Sequence, residues 1–247
     1  MIPRLVTIRF SHYCEKARWA LDRARLAYDE DAHAPILSYP AALRASGKRM
    51  VPVLVTDDGV MASSGAILDW ADRHGHAPPL RPAEHAHVVA ALERTFDDKL
   101  GPATRRVAYG HILPDRASVT EMFSGVGPSW ERRLGATAHP AFAAVIRRGL
   151  KIDAAGVARS RRRVDAIFAD VAARLDDGRR YLCGDQFTGA DLTFAALAAP
   201  LVYPDAYARF AVPLEDMAPS VRELVRSYRH TRAGAFALRL YAEDRAA

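Results

Sequence analysis

The order of apolar and polar positions changes character once along the chain. Leu5-Val6-Thr7-Ile8-Arg9-Phe10 reads as a β-strand, and from Cys14 to Arg25 the residues Ala17, Ala20, Leu21 and Ala24 recur at helical spacing on one face. A second strand is predicted over residues 27–32 and a short helix over 40–45, which Gly47 ends. Val51-Pro52-Val53-Leu54-Val55-Thr56, Asp57-Asp58-Gly59 and Val60-Met61-Ala62 give strand, turn and strand, an antiparallel hairpin with glycine where the turn tolerates positive φ. Ser63 or Ser64 then caps a helix that runs through Ile67, Leu68, Trp70 and Ala71 to Gly75.

Residues 75–82 hold Pro78, Pro79 and Pro82 and read as a linker, because neither helix nor central strand tolerates that density. Beyond it the strand pattern disappears. Helices are predicted at 83–109, 141–152, 156–176, 190–201, 219–228 and 233–242. The interval 110–140 mixes Gly110, Pro114, Gly125, Gly127, Pro128, Gly135 and Pro140 with Met122, Phe123 and Trp130. It predicts short helices and loops, and so long an insertion in a helical domain is a lid candidate. The pattern is that of an α/β domain over 1–80 joined to an all-α domain over 83–247.

With 247 residues, half of them hydrophobic, the chain can bury a core of that extent. Its longest apolar run, Phe194 to Tyr203, is broken by Pro200 and falls short of the roughly 20 residues that span a bilayer, so no membrane role is expected. Arg4 and Arg9 sit inside the first strand rather than before an apolar stretch, so no signal peptide is visible. Only Cys14 and Cys183 are present, which fits a reducing, cytoplasmic setting. The net charge of +6 is dispersed. Its one dense cluster, Arg159 with Arg161, Arg162 and Arg163, lacks interleaved aromatics and reads as a solvated helix face rather than a nucleic-acid site. His74, His76, His85 and His87 lack metal-ligand spacing, and no phosphate-binding glycine loop or nucleophile elbow occurs.

Candidate chemistry concentrates where the first strand hands over to the first helix, at Ser11-His12-Tyr13-Cys14-Glu15-Lys16-Ala17-Arg18. A helix start offers unpaired N–H groups and a partial positive charge, which favour an anionic sulfur. Ser11 and Cys14 have the spacing of a C-x-x-C redox motif with oxygen in place of the first sulfur. That exchange shifts the expected chemistry from disulfide exchange toward activation of another molecule's thiol. Ser11 also reads as a plain N-cap, and Cys14 as a buried core thiol.

Four motifs in order, Ser11-x-x-Cys14-x-Lys16-x-Arg18, Val51-Pro52-Val53-Leu54, Ser63-Ser64-x-Ala66-Ile67 and Phe187-Thr188-Gly189-Ala190-Asp191-Leu192, resemble those of the cytosolic glutathione S-transferases. The resemblance implies a thioredoxin-like βαβαββα domain followed by a helical bundle, glutathione as co-substrate, no metal, and a homodimer. It implies a cis peptide before Pro52, with the Val51 backbone turned to pair with the tripeptide. Ser63 and Ser64 would hold the γ-glutamyl carboxylate at the helix start, or simply cap the helix. Ser64 matches the family's serine, whereas Ser63 stands where Glu or Gln is usual. Ser11 would donate to the glutathione sulfur, with Cys14-dependent thiol transfer as the alternative. The second substrate implied is an electrophilic, apolar small molecule between the domains, against Tyr13, Tyr109, Met122, Phe123 or Trp130. A catalytically silent binding module is a further alternative. Thr188 and Asp191 form a capping box with Phe187 and Leu192 as its staple, a structural device.

Overall fold

A computed structural model describes residues 2–124, 127–209 and 212–245. The first part is a four-stranded sheet of β1 (Arg4–Ile8), β2 (Asp29–His33), β3 (Val53–Thr56) and β4 (Gly59–Met61), with helices α1 (His12–Arg23), α2 (Tyr39–Ser46) and α3 (Ser64–His74). The strand order is β2-β1-β3-β4, with β2 parallel to β1 and the other two pairs antiparallel. Side-chain alternation decides the layers. Leu5 and Leu54 join the main core with Ala17, Leu21, Ile67 and Leu68 of α1 and α3. Val6 and Val53 face the other way, onto Ala41 and Ala42 of α2. This is the predicted thioredoxin-like arrangement. The second strand lies at Asp29–His33 rather than 27–32, because the polar DEDAH segment is held by register with β1 at the sheet edge.

The second part is helical: α4 (Ala86–Thr95), α5 (Gly101–Ile112), α6 (Arg116–Ser124), α7 (Ser129–Gly149), α8 (Ala154–Arg174), α9 (Gly189–Val202), α10 (Asp205–Ala208), α11 (Pro219–Arg229) and α12 (Arg232–Glu243). Every residue of α9 except Pro200 is buried, which makes it the axis of the bundle. Its N-terminus carries the predicted capping box: the Asp191 carboxylate accepts from Thr188 N (2.9 Å), Thr188 Oγ1 (2.7 Å) and Leu182 N (2.8 Å). Burial raises the Asp191 pKa to about 6 against those stabilising bonds.

Two expectations are corrected. The single helix expected over 83–109 is interrupted by a π-helical turn, Phe96–Leu100, between α4 and α5. The interval 110–140, expected as short helices and loops, contains α6 and most of the 21-residue α7. Pro140 lies inside α7 at an exposed position, where the lost backbone bond is open to water.

α1 belongs to both parts. Trp19 packs against Phe187 and Tyr241, with ring centroids 6.0 and 4.7 Å away. Glu15, fully buried, accepts from Arg18 (3.1 Å) and from Arg245 near the C-terminal end (2.9 Å). Arg18 also binds Glu30 (2.8 Å) and the Arg9 carbonyl (2.6 Å), and the Tyr207 hydroxyl donates to the Phe10 carbonyl. The β1–α1 connection is thus pinned from both sides just before Ser11.

Candidate active site at the start of the first helix

Strand directions gather the predicted site residues at one edge of the sheet. β1, β2 and β4 run the same way, so Ser11 after β1, Ala34 after β2 and Ser63 after β4 share that edge, and antiparallel β3 begins there at Val51-Pro52. Extending the β1–β3 register by two residues brings Val51 beside Ile8. The Val51–Pro52 peptide is cis, as the resemblance implies.

Ser11 is the N-cap of α1 in extended backbone (φ −75°, ψ 123°). Its N–H donates to the Ile8 carbonyl (2.9 Å), while its carbonyl accepts from Glu15 N (2.8 Å). Its hydroxyl makes no cap bond. Ser63 differs: its hydroxyl accepts from Ala66 N at 3.2 Å, the ordinary capping role, and the side chain is exposed. Ser64, the first residue of α3, is buried. Cys14 is fully buried, with Sγ accepting from Ile8 N at 3.5 Å. Burial pushes its thiol up to about 11, despite the opposing influence of Arg18, Ile8 N and the Ser11 hydroxyl.

His12 is buried and donates through Nε2 to the Gly101 carbonyl (2.9 Å), since a carbonyl only accepts. Burial, and secondly the Arg105 charge, lower its pKa to about 3, so it is neutral. Tyr13 lies at the domain boundary: its hydroxyl donates to the Asp97 carbonyl at 2.7 Å. The π-turn makes that acceptor available. Gly101 N–H goes to the Phe96 carbonyl and Pro102 has no N–H, which leaves the Asp97 carbonyl without a helical partner. Gly101 also permits the close approach, because a Cβ there would collide with the Tyr13 hydroxyl. Lys16, fully buried, holds the Asp97 carboxylate at 2.8 and 3.0 Å.

Of the other residues expected at the second-substrate site, Tyr109 joins Phe10, Ile36, Leu37 and Ile112 in an apolar cluster around Ala34, Leu113, Val119, Ile146 and Ile152. That cluster contains residues of both parts of the chain. Trp130 does not join it: it is 53% exposed, because α7 turns the adjacent Glu131 inward instead. Met122 and Phe123 lie in α6, and their side chains fall outside the described residues.

Sequence reasoning passed over Glu131. Its buried carboxylate accepts from Ala34 N (2.8 Å) and lies 2.5 Å from His33 Nδ1, while His33 Nε2 stands 3.0 Å from Asp31. The insertion is therefore tied to the sheet edge beside the site. Gly127, at φ +86°, lets the chain turn closely over Glu131. Among the described residues no three His, Cys, Asp or Glu side chains converge as a metal site, and no helix is long and apolar enough to cross a membrane.

A thioredoxin-like sheet joined to a helical bundle, with a serine and a cis-proline at one sheet edge, defines the class of the protein. The family described as glutathione S-transferase, N-terminal domain, matches residues 5–79, and that described as glutathione S-transferase, C-terminal domain, matches residues 154–227. The chain belongs to the glutathione S-transferase family. Similar solved structures include a glutathione S-transferase from Rhodospirillum rubrum F11 (24% identity, 98% of this chain and 99% of that one, TM-score 0.59). Another, from Methylobacterium radiotolerans in complex with glutathione sulfonate, has 21% identity, covers 96% and 95%, and has a TM-score of 0.56. The beta-etherase LigF from Sphingobium sp. strain SYK-6 has 15% identity, 97% and 99% coverage and a TM-score of 0.62. No curated protein matches the sequence.

Proposed function

We propose that this protein is a glutathione transferase in which Ser11 is the catalytic residue. The observation that carries the reading is the Ser11 hydroxyl, at a helix N-terminus yet making no cap bond, on the sheet edge shared with Val51-Pro52 and Ser63-Ser64. In this reading residues 1–80 bind the tripeptide, Val51 pairing with its backbone and Ser63 and Ser64 receiving the γ-glutamyl carboxylate. The hydroxyl donates to the sulfur and, with the helix N-terminus, favours the thiolate. The thiol proton leaves to water. The thiolate then attacks the electrophile's carbon; a C–S bond forms and the leaving group departs with its electron pair. Residues 83–247 supply the opposing wall, with Tyr109 beside Phe10. The glutathione sulfonate complex of the Methylobacterium relative supports the ligand. Two buried, unpaired cysteines suit a reducing compartment, such as the cytoplasm, that keeps glutathione as thiol. We extend the reading to a homodimer on family membership.

The burial and high pKa of Cys14 disfavour thiol transfer through it. Conjugation of 1-chloro-2,4-dinitrobenzene by Ser11→Ala and Cys14→Ala variants tests the assignment. Loss of a hydrogen bond to a charged sulfur, about 1.5–3 kcal/mol, predicts that Ser11→Ala is slower by roughly ten- to hundredfold. Cys14→Ala retains most of the rate per folded molecule. Full activity in Ser11→Ala contradicts the reading.

A further inference from the structure

Arg105 has no part in the scheme above, yet its charge acts on His12 and Tyr13 at the start of α1 and on Tyr109. α5 turns one face toward the first domain. Gly101, on that face, receives His12 and abuts Tyr13, whereas Tyr109, two turns on, joins Phe10 in the apolar cluster. Arg105 lies midway between them, one helical turn from each, and so faces residues 10–12. Its side chain is half-buried and makes no ion pair or hydrogen bond among the described residues. Other partly or fully buried arginines differ. Arg106 binds the Leu150 carbonyl and Ser160, Arg18 binds Glu15 and Glu30, and Arg245 binds Glu15 and Asp22.

Among the described residues, no carboxylate facing Arg105 neutralises it. His12, Tyr13 and Tyr109 feel its charge and are themselves neutral, Asp97 is bound to Lys16, and exposed Asp98 makes no ion pair with it. A guanidinium that gives up part of its hydration without gaining an anion is incomplete until a ligand supplies one. Its planar fork of donors fits a carboxylate bidentately.

We propose that Arg105 is an anion-binding side chain facing the start of α1 and that the electrophile this protein conjugates carries a carboxylate beside its apolar body. The inference rests on the transferase reading. The apolar body lies against Tyr109, and the carboxylate reaches across to Arg105. The thiolate has its own partners on the first domain, the Ser11 hydroxyl and the α1 N-terminus, so Arg105 sets specificity.

Calorimetric binding of S-benzylglutathione and S-(4-carboxybenzyl)glutathione to the wild type, Arg105→Ala and Arg105→Lys is the test. The wild type is expected to bind the carboxylate conjugate about tenfold more tightly than its neutral counterpart, the size of one charge-assisted contact. Arg105→Ala brings the ratio of the two dissociation constants to about one, and Arg105→Lys restores part of it. A ratio near one in the wild type, or one preserved in Arg105→Ala, overturns the proposal. So does a ratio preserved in Arg105→Ala together with a raised pH of thiol ionisation in bound glutathione, which would assign the guanidinium to the thiolate. If neither conjugate nor glutathione binds the wild type, the transferase reading itself fails.

Discussion

Ser11 and Ser63 are both N-cap serines on extended backbone, and only Ser63 caps its helix. One sequence pattern thus has two outcomes, a hydroxyl that caps its helix and one that does not, and geometry beyond the motif decides between them. The motif is nonetheless readable because all its parts are local: Ser11, Cys14, the proline after Val51, and the Thr188–Asp191 box. Glu131 and the Lys16–Asp97 pair were not readable, since their partners lie 98 and 81 residues away. His12 gives a prediction at this scale. Its folded pKa of about 3 lies below the ordinary histidine value, so the unfolded chain binds the extra proton between pH 6.5 and 3. Stability from this group is full above pH 6.5 and falls as pH drops through that window, by on the order of 4 kcal/mol at its foot. His12→Gln keeps a neutral donor for the Gly101 carbonyl. Denaturant midpoints measured across the window should fall less steeply in that variant; parallel slopes would show that His12 does not carry the effect.

Among the elements, strands and amphipathic helices were legible because their period is set by burial on one face. Interruptions were not. The π-turn leaves the helical pattern of residues 83–109 nearly intact, although it creates the acceptor that seats Tyr13. α7 was hidden by its own glycines and Pro140, which read as breakers while the surrounding 21-residue helix accommodates them. What ties this insertion to the sheet edge is the Glu131 carboxylate on Ala34 N and His33. Glu131→Ala removes the partner of Ala34 N and of His33 Nδ1, a local cost of about 1–3 kcal/mol. Hydrogen exchange is expected to quicken at Ala34 and through α6 and α7, with α9 still protected. Unchanged exchange in α6 and α7 would mean that the apolar cluster alone holds the insertion.

In the whole molecule, the two parts meet along α1, which carries the proposed site at its N-terminus and buries Trp19 and Glu15 against residues of the second part. Arg18 and Tyr207 hold the Arg9 and Phe10 carbonyls, so the position of Ser11 is fixed by both domains together. The order of domains was visible as the loss of strand pattern after the proline-rich linker; their packing was not, because it depends on groups far apart in sequence. The central claim is that the Ser11 hydroxyl holds glutathione as thiolate. Titrating the ultraviolet thiolate absorbance of bound glutathione in the wild type and Ser11→Ala tests it most directly. The account predicts a midpoint higher by about one to two pH units in the variant, the equivalent of ~1.5–3 kcal/mol. Coincident midpoints, with glutathione bound to both proteins, would contradict it.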